Sequence, residues 1–191
     1  MTVRKDEQNK ASDVYVALLR GVNVGGKNKL PMSSLVALFA DAGCDDLQTY
    51  IQSGNVVFRA KDDLARQIPG AISKAISDRL GLRVPVITRS IDQLRSLAGS
   101  NPFLSAALDP TKLHVALLAD KPDRSKIAAL DPNRSPPDEF FVRGMEIFLH
   151  CPNGMARTKL TNAYFDSKLK TTSTIRNWNT IVKLLEITER L

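Results

Sequence analysis

Tyr15-Val-Ala-Leu-Leu19 and His114-Val-Ala-Leu-Leu118 are nearly identical apolar stretches that lie 99 residues apart. The first belongs to VYVALLR at 14–20, whose almost continuous apolar character predicts a strand buried on both faces. A second pair, Gly54-Asn-Val-Val-Phe58 and Gly144-Met-Glu-Ile-Phe148, follows in the same order at an offset of 90 residues. The recurrence predicts an internal duplication in which Tyr15 corresponds to His114 and Gly54 to Gly144.

Strand and helix signals alternate between residues 13 and 89. A helix is predicted from Pro31 to Gly43, because proline suits the first helical position and glycine the C-cap. TYIQSGNVVFRA at 49–60 is typical of a hairpin. Apolar residues then recur every four positions up to Leu80, with Pro69 marking either a kink or a start, and VPVIT at 84–88 predicts a last strand. The order βαββαβ is that of a ferredoxin-like unit.

The second unit, residues 112–191, is predicted to repeat the βαββ order and to end in helices near 157–170 and 174–190. A helix and linker at 90–111 would join the units, and residues 1–12 would form a disordered tail. The predicted fold class is α+β, with two tandem ferredoxin-like (βαββ-type) halves, antiparallel sheets and C-terminal helices.

Composition indicates a soluble globular protein. The 191 residues are 43% apolar and 25% charged, with a net charge of +7. The longest apolar runs have six residues, too few to cross a bilayer, and two cysteines without a CxxC motif fit a reducing cytoplasm. Residues 156–191 carry seven cations and three acidic groups, so this segment either attracts phosphates or forms a solvated helical face.

The loop Gly21-Val-Asn-Val-Gly-Gly-Lys27 satisfies the GxxxxGK pattern of a phosphate-binding loop. Asn28 stands where such a loop places the serine or threonine that holds Mg²⁺, and Pro31 delays the helix by several residues. We therefore expect no Mg²⁺–nucleotide site. Glycines with amides and lysines ahead of a helix N-terminus still favour an anion.

Three separated polar stretches are candidates for one ligand site. They are the loop 23–29, the hairpin turn 52–55 and a predicted helix face bearing Arg176, Asn179 and Lys183. Local turn and cap hydrogen bonds would explain each stretch separately, whereas a common anion would require them to converge. The candidate ligand-binding residues are Arg20, Asn23, Lys27, Asn28, Lys29, Gln52, Ser53, Asn55, Lys159, Arg176, Asn179 and Lys183.

Signals for catalysis are sparse. His114 and His150 lie in predicted strands without zinc spacing, and no metal or cofactor motif occurs. His150 and Cys151 are neighbours, and neighbours on a strand point to opposite faces. The strands also lack the aromatic pattern of an RNA-recognition sheet.

The stretches VALLRGVNVGGKNKLPM at 16–32 and YIQSGNVVF at 50–58 resemble the opening motifs of the bacterial family called domain of unknown function 1697. Val84-Pro-Val, Asn101-Pro-Phe, Lys159-Leu-Thr-Asn162 and Ile175-Arg-Asn-Trp-Asn-Thr180 resemble its later motifs. The resemblance covers residues 13–190 and implies a cytoplasmic α+β protein of two ferredoxin-like halves. It implies no reaction and no catalytic residue.

Three function classes follow. The leading one is a monomeric or homodimeric protein that binds a small anionic or phosphate-bearing ligand through Lys27, Lys29 and their loop, with Arg176 and Lys183 closing the site. The others are a nucleic-acid-binding module that uses the basic C-terminal third, and an enzyme of unrecognised type. Steep salt dependence would distinguish nucleic-acid binding, and turnover would distinguish an enzyme.

Overall fold

The computed structural model describes residues 13–26, 28–106 and 108–191, so the prediction for the tail 1–12 lies outside the described residues. The first half contains β1 (Asp13–Leu19), α1 (Met32–Asp41), β2 (Asp45–Tyr50), β3 (Asn55–Ala60), α2 (Asp62–Leu80), β4 (Val86–Ser90) and α3 (Ile91–Gly99). After two short 3₁₀ turns (Pro102–Ala106 and Pro110–Lys112), the second half contains β5 (Leu113–Leu118), α4 (Arg124–Ala128), β6 (Glu139–Arg143), β7 (Glu146–His150), α5 (Asn162–Leu169), β8 (Ser173–Asn177) and α6 (Trp178–Thr188).

Two four-stranded antiparallel sheets organise the chain. The strand orders are β2-β3-β1-β4 and β6-β7-β5-β8. The central strands are the two apolar stretches that recur in the sequence, and each is buried along nearly its whole length. The α+β character with antiparallel sheets is thus confirmed. Within the described residues, no helix is both long and apolar enough to cross a membrane.

The two faces of each central strand contribute side chains to different hydrophobic cores. On β1, Tyr15, Ala17 and Leu19 pack beneath α1 and α2. Val16 and Leu18 point to the other face, where they share a core with β5 and with the helices α3 and α6. A third core lies between the second sheet and α5. Because the middle core draws on both halves, their packing against each other is part of the fold.

Strand β8 corrects the prediction of a helix over 174–190. Residues 173–177 pair with β5, and only from Trp178 does the chain become helical. In this helix, α6, the side chains of Trp178, Ile181 and Leu184 are buried, whereas Val182 is 40% exposed. The sequence pattern did not reveal this strand, because the strand passes directly into the helix at the N-cap Asn177 with no loop between them.

The second hairpin corrects the predicted match of Gly54 with Gly144. The amide of Leu19 donates to the carbonyl of Gly54, and the corresponding amide of Leu118 donates to Met145. Four residues connect the strands of the first hairpin, and only two connect those of the second. Gly54 therefore corresponds to Met145, one position after Gly144. In α2, Pro69 lies inside one helix running from Asp62 to Leu80 and does not begin it.

Candidate functional site

The loop after β1 meets the first hairpin turn through Asn23. Its side-chain amide donates to the carbonyls of Leu30 and Gln52, both at 2.8 Å, and its oxygen accepts from the Leu30 amide. Asn28 closes the same loop by donating to the Gly21 carbonyl at 2.9 Å. Both asparagines adopt positive φ, which asparagine tolerates better than most residues. These two predicted ligand residues therefore hold the loop in shape.

Arg176 lies on strand β8, which corrects the prediction that it shares a helix face with Asn179 and Lys183. Its Nε donates to Asn55 Oδ1 at 2.7 Å, and its Nη2 donates to the carbonyls of Leu19 and Ser53. Its Nη1 donates to Thr174 Oγ1 and to a neighbouring main-chain carbonyl. Burial lowers the pKa of Arg176 to about 10, which leaves it charged at neutral pH. With every nitrogen engaged, this guanidinium joins the halves.

Arg89 makes the reciprocal connection from the first half. It lies beside Val16 on β4, just as Arg176 lies beside Val115 on β8. Its Nη2 donates to the carbonyl of Leu118 at 2.8 Å, and its Nε donates to Glu146 at 3.2 Å. The side chain is 3% exposed, and burial lowers its pKa. Sequence reasoning missed Arg89.

The remaining predicted residues fall into two groups. Asn55 is buried and Ser53 half-buried, and their side chains hydrogen-bond each other beside Arg176. The others do not converge: Lys29, Gln52, Lys159 and Asn179 are exposed, and Lys183 is half-buried and paired with Glu186. Lys27 lies outside the described residues. The loop, hairpin turn and Arg176 thus meet, while the helix residues stay apart.

A cleft of about 690 Å³ opens beside this junction. Its wall combines the end of β1, the middle of α2, the approach to β4 and two residues of the second half, Ala119 and Thr172. No aspartate or glutamate is among the described residues that line it. The lining is Arg20, Gly21, Asn28, Pro69, Gly70, Ser73, Arg83, Pro85, Val86, Ala119 and Thr172.

Two arginines line this cleft, and only Arg83 carries a charge that no acidic side chain of the described residues balances. Arg20 uses Nη1 to bind Asp166 at 2.5 Å and the Ser173 carbonyl at 3.0 Å, and its Nε and Nη2 have no partner among the described residues. Arg83 is exposed and forms no hydrogen bond or ion pair within the described parts of the chain. Free guanidinium donors above a wall without carboxylates are suited to an anion.

A second cavity of about 400 Å³ has a balanced charge. Asp13 and Asp62 line it together with Arg66 and Arg89. The hydroxyl of Tyr15 donates to Asp62 at 2.5 Å, and burial together with this carboxylate raises the pKa of Tyr15. This cavity is therefore less suited to binding an anion than the first cleft, because its two aspartates balance its two arginines.

Burial governs the chemistry of His114 and of both cysteines. His114 is buried between the Lys112 carbonyl and Asn177, and desolvation lowers its pKa. Cys44 and Cys151 are buried thiols whose pKa values burial raises to about 11. Across the described residues, no group of three or more histidine, cysteine or acidic side chains is placed to hold a metal ion.

The phosphate-loop pattern at 21–27 leads into α1 only at Met32, and the next strand pairs antiparallel with its neighbour.

A family profile described as "Protein of unknown function (DUF1697)" matches residues 13–148. The chain belongs to this family of unknown function. It is also similar to a solved structure, "The structure of conserved bacterial protein SP0830 from Streptococcus pneumoniae", with 21% identity and a TM-score of 0.71 over 93% of this chain and 99% of that one. This second similarity concerns the fold alone. No curated protein matches the sequence.

Sequence reasoning missed two arginines, Arg89 and Arg83, for different reasons. Arg89 and Arg176 both directly precede an N-cap, Ser90 and Asn177, and an amphipathic helix follows each. This repeated order of arginine, N-cap and helix could have been recognised in the sequence. Arg83 is an ordinary loop residue, and only the packing of α2 against β4 places it on the cleft wall.

Proposed function

We propose that this protein binds a small anion carrying two or more negative charges, such as a phosphate or carboxylate compound, in the cleft between α2 and β4. The observation that supports it is Arg83, an arginine without a partner among the described residues, on a wall without carboxylates. Arg20 would supply Nε and Nη2, while Asp166 holds its Nη1 in place. Paired guanidinium groups bind such anions through charge-assisted hydrogen bonds.

The neutral lining supports the same ligand class. Ser73 and Thr172 offer hydroxyl groups, and Asn28 an amide that its bond to Gly21 holds in the loop. Gly70 faces open space, because a Cβ built there meets no atom within 4 Å. The cleft can therefore admit a ligand against the backbone of α2.

We propose further that the fold is a tandem duplication of a ferredoxin-like unit, with units at 13–89 and 112–191 joined by 90–111, in a cytoplasmic protein. Matching strand orders and the reciprocal positions of Arg89 and Arg176 support this origin. In such a duplication the anion cleft is an addition to one half, since α2 has 19 residues and its counterpart α5 only 8.

Nucleic-acid binding through the basic C-terminal third has weaker support. Arg176 is engaged inside the molecule, and Lys183 is paired with Glu186. A ferredoxin-like sheet that binds RNA presents a free face, whereas both faces of β5, the central strand of the second sheet, are covered by cores here. Anion binding therefore takes precedence.

Calorimetric titration with pyrophosphate tests the proposal. Wild-type protein should bind, and Arg83→Ala should weaken binding by about tenfold or more, since a charge-assisted hydrogen bond contributes roughly 1.5–3 kcal/mol. Arg124→Ala is the matched control, because Arg124 is an exposed arginine of α4 that does not line the cleft. Equal affinity of Arg83→Ala and the control, or absence of binding to wild type, would overturn the proposal.

A further inference from the structure

Strand β6 forms an open edge of the second sheet. It pairs with β7 on one side, over five consecutive residues from Glu139 to Arg143 without a register shift. On the other side no strand of the described chain pairs with it. An edge of this kind presents unpaired main-chain groups to any extended segment.

The corresponding edge of the first sheet is protected. Strand β2 has a register shift between Asp45 and Gln48, and Asp46 adopts positive φ there. A bulge with acidic side chains is a common device against edge-to-edge pairing. The two edges therefore differ in kind, and β6 is the regular one.

The outward side chains of β6 form a self-complementary set. Glu139, Phe141 and Arg143 are exposed on one face, while Phe140 and Val142 turn towards the core under α5. Phe141 is 44% exposed, and the guanidinium carbon of Arg143 lies 5.4 Å from its ring centroid. An aromatic residue thus stands midway between an acid and a base.

We infer that β6 pairs with β6 of a second copy of this chain, antiparallel and centred on Phe141. In this register Phe141 opposes its own copy, and Glu139 opposes Arg143 at both ends. Directly opposed aromatic residues and opposite charges stabilise antiparallel strands, whereas like charges destabilise them. Parallel in-register pairing would place Glu139 against Glu139, so the charges select the antiparallel arrangement.

The predicted dimer is weak, with a dissociation constant on the order of 100 µM, because a five-residue strand supplies less area than a standard interface. Sedimentation velocity between about 10 µM and 1 mM, at about 50 mM salt, measures it without strong screening of the charges. Glu139→Lys and Arg143→Glu should each weaken association by about tenfold, because each creates two like-charge pairs in the dimer. The double variant Glu139→Lys/Arg143→Glu should regain the wild-type affinity, since it restores opposite charges in the same register.

Disulfide trapping provides a second measurement that does not depend on these charges. Phe141→Cys should form an intermolecular disulfide under mild oxidation, because directly opposed Cβ atoms lie roughly 4.5–5.5 Å apart. Thr49→Cys on the bulged strand β2 is the matched control, and Cys44 and Cys151 are buried. A monomeric wild type at every concentration, a double variant no better than the singles, or cross-linking no faster at 141 than at 49 would each overturn the inference.

Discussion

Arg89 and Arg176 reach across the molecule in opposite directions. The Nη2 of Arg89 donates to the carbonyl of Leu118 at 2.8 Å, and the Nη2 of Arg176 donates to that of Leu19 at 2.5 Å. Leu19 and Leu118 end the central strands β1 and β5, so the two contacts are equivalent. Each half therefore donates a hydrogen bond to a main-chain carbonyl group at the end of the other half's central strand. The two arginines are expected to stabilise the packing of the halves.

Replacing Arg176 should lower stability strongly. Arg176→Ala leaves Asn55 and the carbonyls of Leu19 and Ser53 without their donor, so the free energy of unfolding should fall by about 3 kcal/mol. Arg176→Lys should rescue little, because an ammonium group lacks the planar fork. Urea unfolding measures both, and Arg83→Ala, which removes an exposed arginine, should unfold like wild type. A small loss on Arg176→Ala would contradict the structural role.

Gly54 is expected to tolerate no side chain. A Cβ there would lie 2.5 Å from Val22 Cγ2 and 2.8 Å from Leu19 Cβ, in a backbone with φ of 72°. Gly81 has a similar φ of 66° but open space around it. Gly81→Ala should therefore lower the free energy of unfolding by about 1 kcal/mol, and Gly54→Ala by about 3 kcal/mol or more. Similar losses in thermal or urea unfolding would mean that the close approach of Leu19 and Val22 is unimportant.

Stability should fall as the solution is acidified below pH 6.5, partly through His114. Burial lowers its pKa from the ordinary value of 6.5, so the unfolded chain takes up a proton at higher pH than the folded one. The stabilisation is complete above the unfolded pKa and is lost as the pH falls towards the folded pKa. Urea unfolding between pH 7.5 and pH 5 should show a shallower decline in His114→Gln than in wild type. Parallel curves would contradict this assignment.

Both thiols should resist modification in the native protein. Cys44 and Cys151 are buried, and burial raises their pKa values to about 11, so few thiolates exist at neutral pH. Iodoacetamide at pH 8 should leave the native mass unchanged over a period in which the urea-unfolded chain gains two labels. Rapid labelling of either native cysteine would show that its surroundings open more readily than the packing implies.

Sequence reasoning predicted what local patterning controls. The apolar stretch at 15–19 became a strand buried on both faces, and Gly43, predicted to end the first helix, adopts the positive φ typical of such a position. It failed at Arg176, because a five-residue strand that passes directly into α6 shows no boundary except the cap at Asn177. It also missed Arg83, whose place on the cleft wall depends on the long-range packing of α2 against the chain that leads into β4.

The cleft itself is tested most directly by NMR of the arginine side chains. In a titration of ¹⁵N-labelled protein with pyrophosphate, the Nε–Hε signals of Arg83 and Arg20 should shift together and saturate with one dissociation constant, because both line the same cavity. The signal of Arg124 should stay in place, since this exposed arginine of α4 lies outside the cleft lining. A stationary Arg83 signal, or shifts of Arg83 and Arg124 that grow equally and without saturation, would contradict anion binding between α2 and β4.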